Sequence, residues 1–503
     1  MSSNTDDPAA LLARRVTAMR SSAVRDLLHD ARRPGMLSLA GGLPAPDLFD
    51  VEGLRAATDG VLLDAPREAL QYGPTEGDGA LRALLAAGLR AHGAAVDDER
   101  PVVTTGSQQA LDLVARALLE PGDRVVVERP GYLAALQVFA LTGAQCVGVP
   151  GDADGLRIDA LPDDAAAGPA QGPLKLVYVV TNFANPTGAT LSLERRIALL
   201  EWAVRHRVFV LEDDPYGGLR VGGEALPPLI ALARQVAGAA QWCGYASSLS
   251  KVLSPGLRVG FAILPDWLRA AVVRTKQAAD LHTSSLAQAI AARYLASGRL
   301  DARMPAMREA YRERRDVLCD ALAETFGDRL SFVRPDGGMF VWARFADGTD
   351  TTQLLPLARD AGMIFVPGEA FHDAEPDRAT LRLSFATTTP AQERDAVARL
   401  ARAHRALHAG SGPGLAPGGQ ASGSGRVETD HSPPDMPKPS FAGPDQPLAG
   451  GAAQAAAIRN ACVAAALEAW EDAGMRGLCA EGRWEVAIGA IRALDPASVR
   501  EAE

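Results

Sequence analysis

Lys251 sits in the run Tyr245-Ala246-Ser247-Ser248-Leu249-Ser250-Lys251-Val252-Leu253-Ser254-Pro255-Gly256-Leu257-Arg258-Val259-Gly260. Hydroxyls and apolar residues surround this lysine, which is not the setting of a solvated surface amine. Partial desolvation keeps a lysine amine reactive, the state that forms Schiff bases with carbonyl groups. Ser248, Ser250 and Arg258 are groups that hold a phosphate. Lysine is also scarce. Lys and Arg total 51, of which four are Lys (Lys175, Lys251, Lys276 and Lys438) and the other 47 are Arg. Arginine keeps its proton, so bulk positive charge has gone to a residue that cannot do this chemistry. Lys175 opens a predicted strand, Lys276 lies in a predicted helix and Lys438 in a Gly/Pro-rich stretch. Only Lys251 stands among phosphate-binding groups.

An aldehyde for the amine together with a phosphate for the hydroxyls describes pyridoxal 5'-phosphate. The pattern S-x-S-K-x-x-x-P-G-L-R-x-G resembles the lysine segment of fold-type I aminotransferases, the class I/II, aspartate-aminotransferase-like superfamily. Other segments extend the resemblance in order along the chain. Thr104-Thr105-Gly106-Ser107-Gln108-Gln109-Ala110 leads into a predicted helix, whose first N–H groups attract phosphate. The resemblance implies that Ser107 and Gln108 hold the cofactor phosphate. In Arg129-Pro130-Gly131-Tyr132, Tyr132 matches the aromatic that stacks on the pyridine ring. In Asn182-Phe183-Ala184-Asn185-Pro186-Thr187-Gly188, Asn185 matches the partner of the phenolic oxygen.

Leu211-Glu212-Asp213-Asp214-Pro215-Tyr216 ends an apolar strand, the position where sites of open α/β sheets lie. The chemistry needs an acid that keeps the pyridine nitrogen protonated. Asp213 and Asp214 are both candidates, and the family's D-x-x-Y spacing implies Asp213, with Tyr216 at the phenolic oxygen. Arg382 interrupts the apolar strand Thr380 to Phe385, a costly place for an unpaired charge. The family places its substrate-carboxylate arginine here, and a planar fork suits that task. Gln71-Tyr72-Gly73-Pro74-Thr75-Glu76-Gly77 with Leu81-Arg82 resembles the segment whose tyrosine reaches the neighbouring subunit's phosphate. Tyr72 then implies a homodimer with shared sites. Gly41-Gly42-Leu43-Pro44 resembles the substrate-covering segment of the 2-aminoadipate and multi-substrate subgroup, so Gly42 is expected at the substrate. Gly337-Gly338-Met339-Phe340 is also typical of the family.

The resemblance implies an enzyme that moves an amino group between an L-amino acid and a 2-oxo acid by ping-pong transamination, with Lys251 as base and then acid; the scattered cysteines and the lack of an apolar signal core predict that it is cytoplasmic. Lyases and decarboxylases built on the same fold are an alternative. So is a pyridoxal-phosphate-sensing regulator like the MocR effector domain. Those regulators carry a DNA-binding domain ahead of this one, whereas about three dozen residues precede the extended Met36 to Ala40. With a formal net charge of −10, no nucleic-acid partner is expected.

These residues need a scaffold. Strand and helix patterns alternate from 100 to 265: strands Arg124 to Glu128, Leu174 to Val180, Val208 to Glu212 and Gly260 to Leu264, with helices Leu111 to Leu119, Leu133 to Leu141 and Leu193 to Arg205. Such alternation predicts an α/β fold with a mostly parallel sheet covered on both faces, and the resemblance implies that this sheet is of seven-stranded type. A helical stretch runs from Trp267 to Phe326, and its charged part, Arg303 to Ala323, reads as a solvated helix. Short strands at 332–333, 339–344, 364–366 and 380–385 with helices at 352–361 and 390–407 predict a smaller α+β domain. The expected layout is a lead-in helix within 11–30 and a covering segment (1–50), a large cofactor domain (51–290), a small domain (291–408), a linker (409–452) and a small helical module (453–503). In the linker, Gly, Pro and Ser supply 23 of 44 residues, a composition that cannot bury a core. Beyond it, Ala455 to Ala473 and Arg483 to Leu494 have helical periodicity and could dock a protein partner.

The chain has 503 residues, 47% of them apolar and 22% charged, a globular composition for more than one domain. Its five cysteines include no CxxC pair, so neither a disulfide scaffold nor a metal site is expected. No apolar run reaches the length of a membrane span, and the N-terminal residues lack the apolar core of a signal peptide.

Overall fold

The computed structural model describes residues 8–17, 27, 30, 31, 33–163 and 172–409, together with Cys462, Ala465, Ala466, Glu468, Ala469 and Ala490, all six helical. Most of the expected lead-in helix, the linker from 410 onward and most of the module therefore lie outside the described residues. In the lead-in region the helix covers Arg14–Thr17. The chain divides into two compact units, Met1–Leu415 and Ala416–Glu503.

The first unit holds strands β1 (Leu37–Ser38), β2 (Val102–Thr104), β3 (Arg124–Arg129), β4 (Gln145–Asp152), β5 (Gly155–Leu156), β6 (Leu174–Val180), β7 (Phe209–Asp213), β8 (Cys243–Ser248), β9 (Gly260–Ile263), β10 (Leu330–Phe332), β11 (Phe340–Phe345), β12 (Met363–Ile364), β13 (Val366–Pro367) and β14 (Thr380–Ser384). Its main helices are α1 (Val51–Asp64), α2 (Gly79–Ala91), α3 (Ser107–Leu118), α4 (Leu133–Thr142), α5 (Leu193–His206), α6 (Asp266–Asp280), α7 (Ser285–Ala296), α8 (Arg299–Phe326), α9 (Thr351–Asp360) and α10 (Pro390–Ala409).

The large sheet runs β2-β9-β8-β7-β6-β3-β4-β5. The five central strands β8, β7, β6, β3 and β4 are parallel neighbours, while β9 and β2 close one edge antiparallel. Those seven strands match the seven-stranded-type sheet that the resemblance implied. The two-residue β5, folded back on the end of β4, makes an eighth. Alternation along β6 explains its continuous apolar run: Val177 and Val179 pack with Leu199, Leu200 and Ala203 of α5, whereas Leu176 and Tyr178 pack with Leu111 and Val114 of α3. A strand buried on both faces shows no polar face.

Register decides where the site lies. Val180 pairs with Asp213, and Asp213 with Ala246, so the C-terminal ends of β6, β7 and β8 are level. The small sheet runs β10-β11-β14-β13, all antiparallel, with Arg382 of β14 between Trp342 and Val366. Parallel pairing of β1 with β12 and the bond from Ser384 N–H to the Leu39 carbonyl tie the segment around Leu39 to this sheet.

The stretch from Trp267 to Phe326 is three helices. Leu281 at φ +63 and Gly298 at φ +70 interrupt it, and Ser284 caps α7 by accepting from the Ala287 N–H. Reading Arg303 to Ala323 as solvated describes one face only. α8 buries Met307, Tyr311, Leu318, Leu322 and Phe326. Two of its arginines are buried as well: Arg314 donates to the Ala386 carbonyl and Arg315 to that of Pro335. Charge density hid the buried face because the guanidinium stems pack while their heads find carbonyls.

Candidate active site

The level strand ends open into a cavity of ≈ 220 Å³. Leu43, Ser107, Gln108, Tyr132, Asn185, Asp213, Tyr216, Ser248, Ser250, Lys251 and Arg258 line it. Residues spread over more than two hundred positions thus converge. Gly42 joins them through its carbonyl, which accepts from Lys251 Nζ at 2.8 Å. Tyr72 stands apart: it is 77% exposed and meets the His282 ring edge-on at 5.7 Å.

Lys251 follows β8 in a turn. Burial is the main force lowering its amine, to about 8, and the positive charges of Arg382 and Arg258 add to it. An amine so held is partly neutral near physiological pH, which a nucleophile or proton carrier requires. Its Nζ lies 5.9 Å from the centre of the Tyr216 ring.

Asp213 ends β7. Its Oδ2 accepts from the Tyr178 hydroxyl at 2.8 Å, whereas its Oδ1 is buried and has no hydrogen-bond partner. Burial raises the carboxyl to about 7, against the Tyr178 hydrogen bond. Asp214 is differently placed. Its side chain accepts from Gly217 N–H and the Tyr245 hydroxyl and lines a neighbouring cavity.

Ser107, Gln108, Ser248, Ser250 and Arg258 bring hydroxyls, an amide and a guanidinium to the same cavity. Ser107 and Gln108 open α3, whose first N–H groups have no acceptor within the helix, and both residues line the cavity. Gly106 has φ +75, and a Cβ there would lie 2.5 Å from Arg258 Nη2. Arg258 donates to the Thr105 carbonyl at 3.2 Å. Ser248 Oγ bonds Ser250 Oγ at 2.7 Å, so the two hydroxyls sit side by side. Burial pushes the Tyr132 phenol up to about 12, and that of Tyr216 higher still.

Arg382 is 3% exposed, with its guanidinium 4.3 Å from the Phe340 ring centre and 4.9 Å from that of Phe371. Nη1 donates to Asn185 Oδ1 at 2.7 Å and Nη2 to the Ala40 carbonyl at 2.6 Å, while Nε has no partner. The arginine is therefore held against the site by Asn185.

Two residues escaped the sequence reading. Tyr178 lies inside an apolar strand, and only its hydroxyl in a run of Leu and Val signalled a polar duty. Lys276, read as a helix lysine, is fully buried next to the turn from Thr105 to Gln109. Its Nζ donates to Asp280, Thr283 and Gln109 at 2.9–3.0 Å, and Gln109 in turn accepts from Thr105 N–H at 2.7 Å.

A mostly parallel sheet with an amine, a carboxylate and a helix N-terminus gathered at the C-terminal ends of its strands is the arrangement of the fold-type I class of pyridoxal-phosphate enzymes. Within that class the chain belongs to the family "Aminotransferase class I and II", whose model matches residues 46–400. It is 39% identical over 391 residues to a 2-aminoadipate transaminase of Thermus thermophilus, covering 77% of this chain and 95% of that one. It is 38% identical over 400 residues to aromatic-amino-acid aminotransferase 1 of Thermococcus litoralis, covering 79% and 94%. Among solved structures, LysN, the α-aminoadipate aminotransferase of Thermus thermophilus complexed with N-(5'-phosphopyridoxyl)-L-leucine, matches with a TM-score of 0.73 and 37% identity, over 80% of this chain and 99% of that one. The protein is an aminotransferase and its cofactor is pyridoxal phosphate. Its own residues fit that group: the orphaned Asp213 Oδ1 is an acceptor awaiting a buried donor, which a protonated ring nitrogen supplies. Among the described residues no helix is long and apolar enough to cross a membrane.

Proposed function

We propose that this aminotransferase moves an amino group between an L-amino acid and a 2-oxo acid in two half-reactions, in the cytoplasm and as a homodimer. The observation carrying the reading is the pairing, across one cavity, of a partly neutral Lys251 amine with a partnerless buried Asp213 oxygen. When bound, the cofactor supplies an aldehyde to join the substrate amine and a ring that takes up electrons from the substrate Cα. The chain supplies the rest. Ser107, Gln108, Ser248, Ser250 and Arg258 would hold the phosphate, and Tyr132 would flank the ring. Asp213 Oδ1 would keep the ring nitrogen protonated, with Tyr178 fixing the other oxygen. Asn185 and Tyr216 would hold the phenolic oxygen.

Arg382 would bind the substrate carboxylate, exchanging its Ala40 carbonyl partner for the incoming anion. That contact orients the substrate Cα–H bond. Lys251 Nζ, once free of Gly42, would take the Cα proton as base and deliver it back as acid. Gly42 and Leu43 would cover the substrate and exclude water. Exposed Tyr72 would reach a partner subunit's phosphate. Unpaired Cys146, Cys243, Cys319 and Cys462 suit a reducing compartment.

The test is a panel of L-amino acids, each mixed alone with the holoenzyme, followed by gel filtration and addition of a 2-oxo acid. The expected result is one 2-oxo acid product per amino donor in the first half and amination of the acceptor in the second. Initial rates should give parallel double-reciprocal lines. Release of carbon dioxide, or of a sulfur-containing fragment, as the main product would overturn the reading in favour of a decarboxylase or lyase.

A further inference from the structure

We infer that Asp347, His404 and His408 form a divalent transition-metal site, of the class that takes Zn²⁺, on the small domain. The spacing of the cysteines predicts no metal site. The ligands here are two imidazoles and a carboxylate, and they come together only in the fold.

His404 and His408 stand four residues apart on α10, so they share a face of that helix. Asp347 lies in the turn after β11. His404 Nε2 is 3.2 Å from Asp347 Oδ2, His408 Nε2 is 3.4 Å from the same oxygen, and the two Nε2 atoms are 3.3 Å apart. The three edges are nearly equal. Ligand atoms about 2.0–2.1 Å from a tetrahedral ion stand about 3.3 Å from each other, so the triangle has the dimensions of one face of such a site. Three protein ligands leave the fourth position for water.

The surroundings hold the ligands in place. The His404 ring is buried and stacks on Phe345, with centroids 4.7 Å apart and planes at 16°. Phe326 meets it edge-on at 5.9 Å. Thr349 N–H and Oγ1 both donate to Asp347 Oδ1, at 3.0 and 2.6 Å, fixing that carboxylate and leaving Oδ2 towards the imidazoles. This is the outer-shell support that metal-binding carboxylates have. Two imidazoles and a carboxylate favour Zn²⁺ and its neighbours over Mg²⁺ or Ca²⁺, which take oxygen. The bound ion would pin the last turn of α10 to the end of β11. A purely hydrogen-bonded cluster is the rival, since the Thr349 hydroxyl lies 3.1 Å from both Nε2 atoms.

The experiment uses the full-length holoenzyme, stripped with chelator and titrated with Zn²⁺ and, separately, Co²⁺. Wild type is compared with His408→Ala and Asp347→Asn, which leave the buried His404 ring in place. We expect wild type to bind one ion more per chain than either variant, or to bind that ion at least about tenfold more tightly. Bound Co²⁺ should show the intense visible bands of a four-coordinate ion, absent from the variants. Circular dichroism checks that each variant folds, and His408→Gln replaces His408→Ala if it does not. Equal stoichiometry and affinity in wild type and variants would overturn the inference, whether binding is absent or adventitious at other histidines.

Discussion

Lys251 Nζ donates a hydrogen bond of 2.8 Å to the carbonyl of Gly42, 209 residues earlier in the chain. Two residues before Gly42, the Ala40 carbonyl accepts from Arg382 Nη2. One short backbone stretch thus occupies both cations that the proposed reaction needs. In the proposed reaction the Gly42 carbonyl gives up Lys251 Nζ, and the carboxylate of an entering amino acid would take the place of the Ala40 carbonyl on Arg382.

Because burial and two arginines hold the Lys251 amine near 8 rather than the ordinary 10.5, its labelling in the cofactor-free protein should titrate near pH 8. Arg382→Gln removes one repelling charge and should move the midpoint upward. Competitive labelling of the lysine amines across a pH series, read by mass spectrometry of the Lys251 peptide, measures both. A wild-type midpoint near 10.5 would contradict the burial argument.

Lys251→Ala should lose about a thousandfold or more in turnover, the contribution of a positioned acid–base group. Cofactor should still bind, since the phosphate groups remain. Borohydride treatment followed by mass spectrometry should attach cofactor to the wild-type peptide and not to the variant.

Asp213 is raised to about 7 in the cofactor-free fold, against 3.8 for an ordinary aspartate. A folded-state pKa above the unfolded value gives stability that is complete below the unfolded pKa and lost as pH rises through the folded one. Cofactor-free wild type should therefore lose Tm as pH rises from about 4 to about 7. Glu128 and Glu212, also raised to about 7 by burial, act in the same direction. The isolating comparison is Asp213→Asn, whose loss of Tm should be smaller. Its turnover should fall by about 10²-fold or more, as for loss of a preorganised electrostatic partner.

Arg382→Lys keeps a charge and loses the fork. Asn185 and the carboxylate can no longer be engaged together, so KM for the amino acid should rise about tenfold or more. Amines lacking a carboxylate should be used no worse than by wild type, which steady-state comparison of paired substrates would show.

Gly106→Ala places a Cβ 2.5 Å from Arg258 Nη2 at a backbone φ of +75. Cofactor affinity should fall about tenfold or more, because both the turn and the arginine must shift. Equilibrium dialysis against pyridoxal phosphate measures it, and an unchanged affinity would remove Arg258 and this turn from the phosphate site.

Much of this was written in local sequence. The lysine segment, the T-G-S-Q turn, the N-P-T-G turn and the carboxylate after Val208 to Leu211 are short runs whose residue types state their chemistry. The runs Leu176 to Val180 of β6 and Phe209 to Leu211 of β7 are apolar because both sheet faces are covered, and that too is readable. The D-x-x-Y spacing implied Asp213 over Asp214, and the physical reason is β7 alternating sides in register with β6 and β8. Two things were not readable. Lys276 looked like any helix lysine until Asp280, Thr283 and Gln109 closed around it. His404 and His408 become a potential metal site only when the turn carrying Asp347 meets them. Sequence alone determined which groups are present and which local turns present them. Tertiary structure decided which of those groups share a cavity, because burial, a missing hydrogen-bond partner and a 3 Å approach arise between segments distant in the chain.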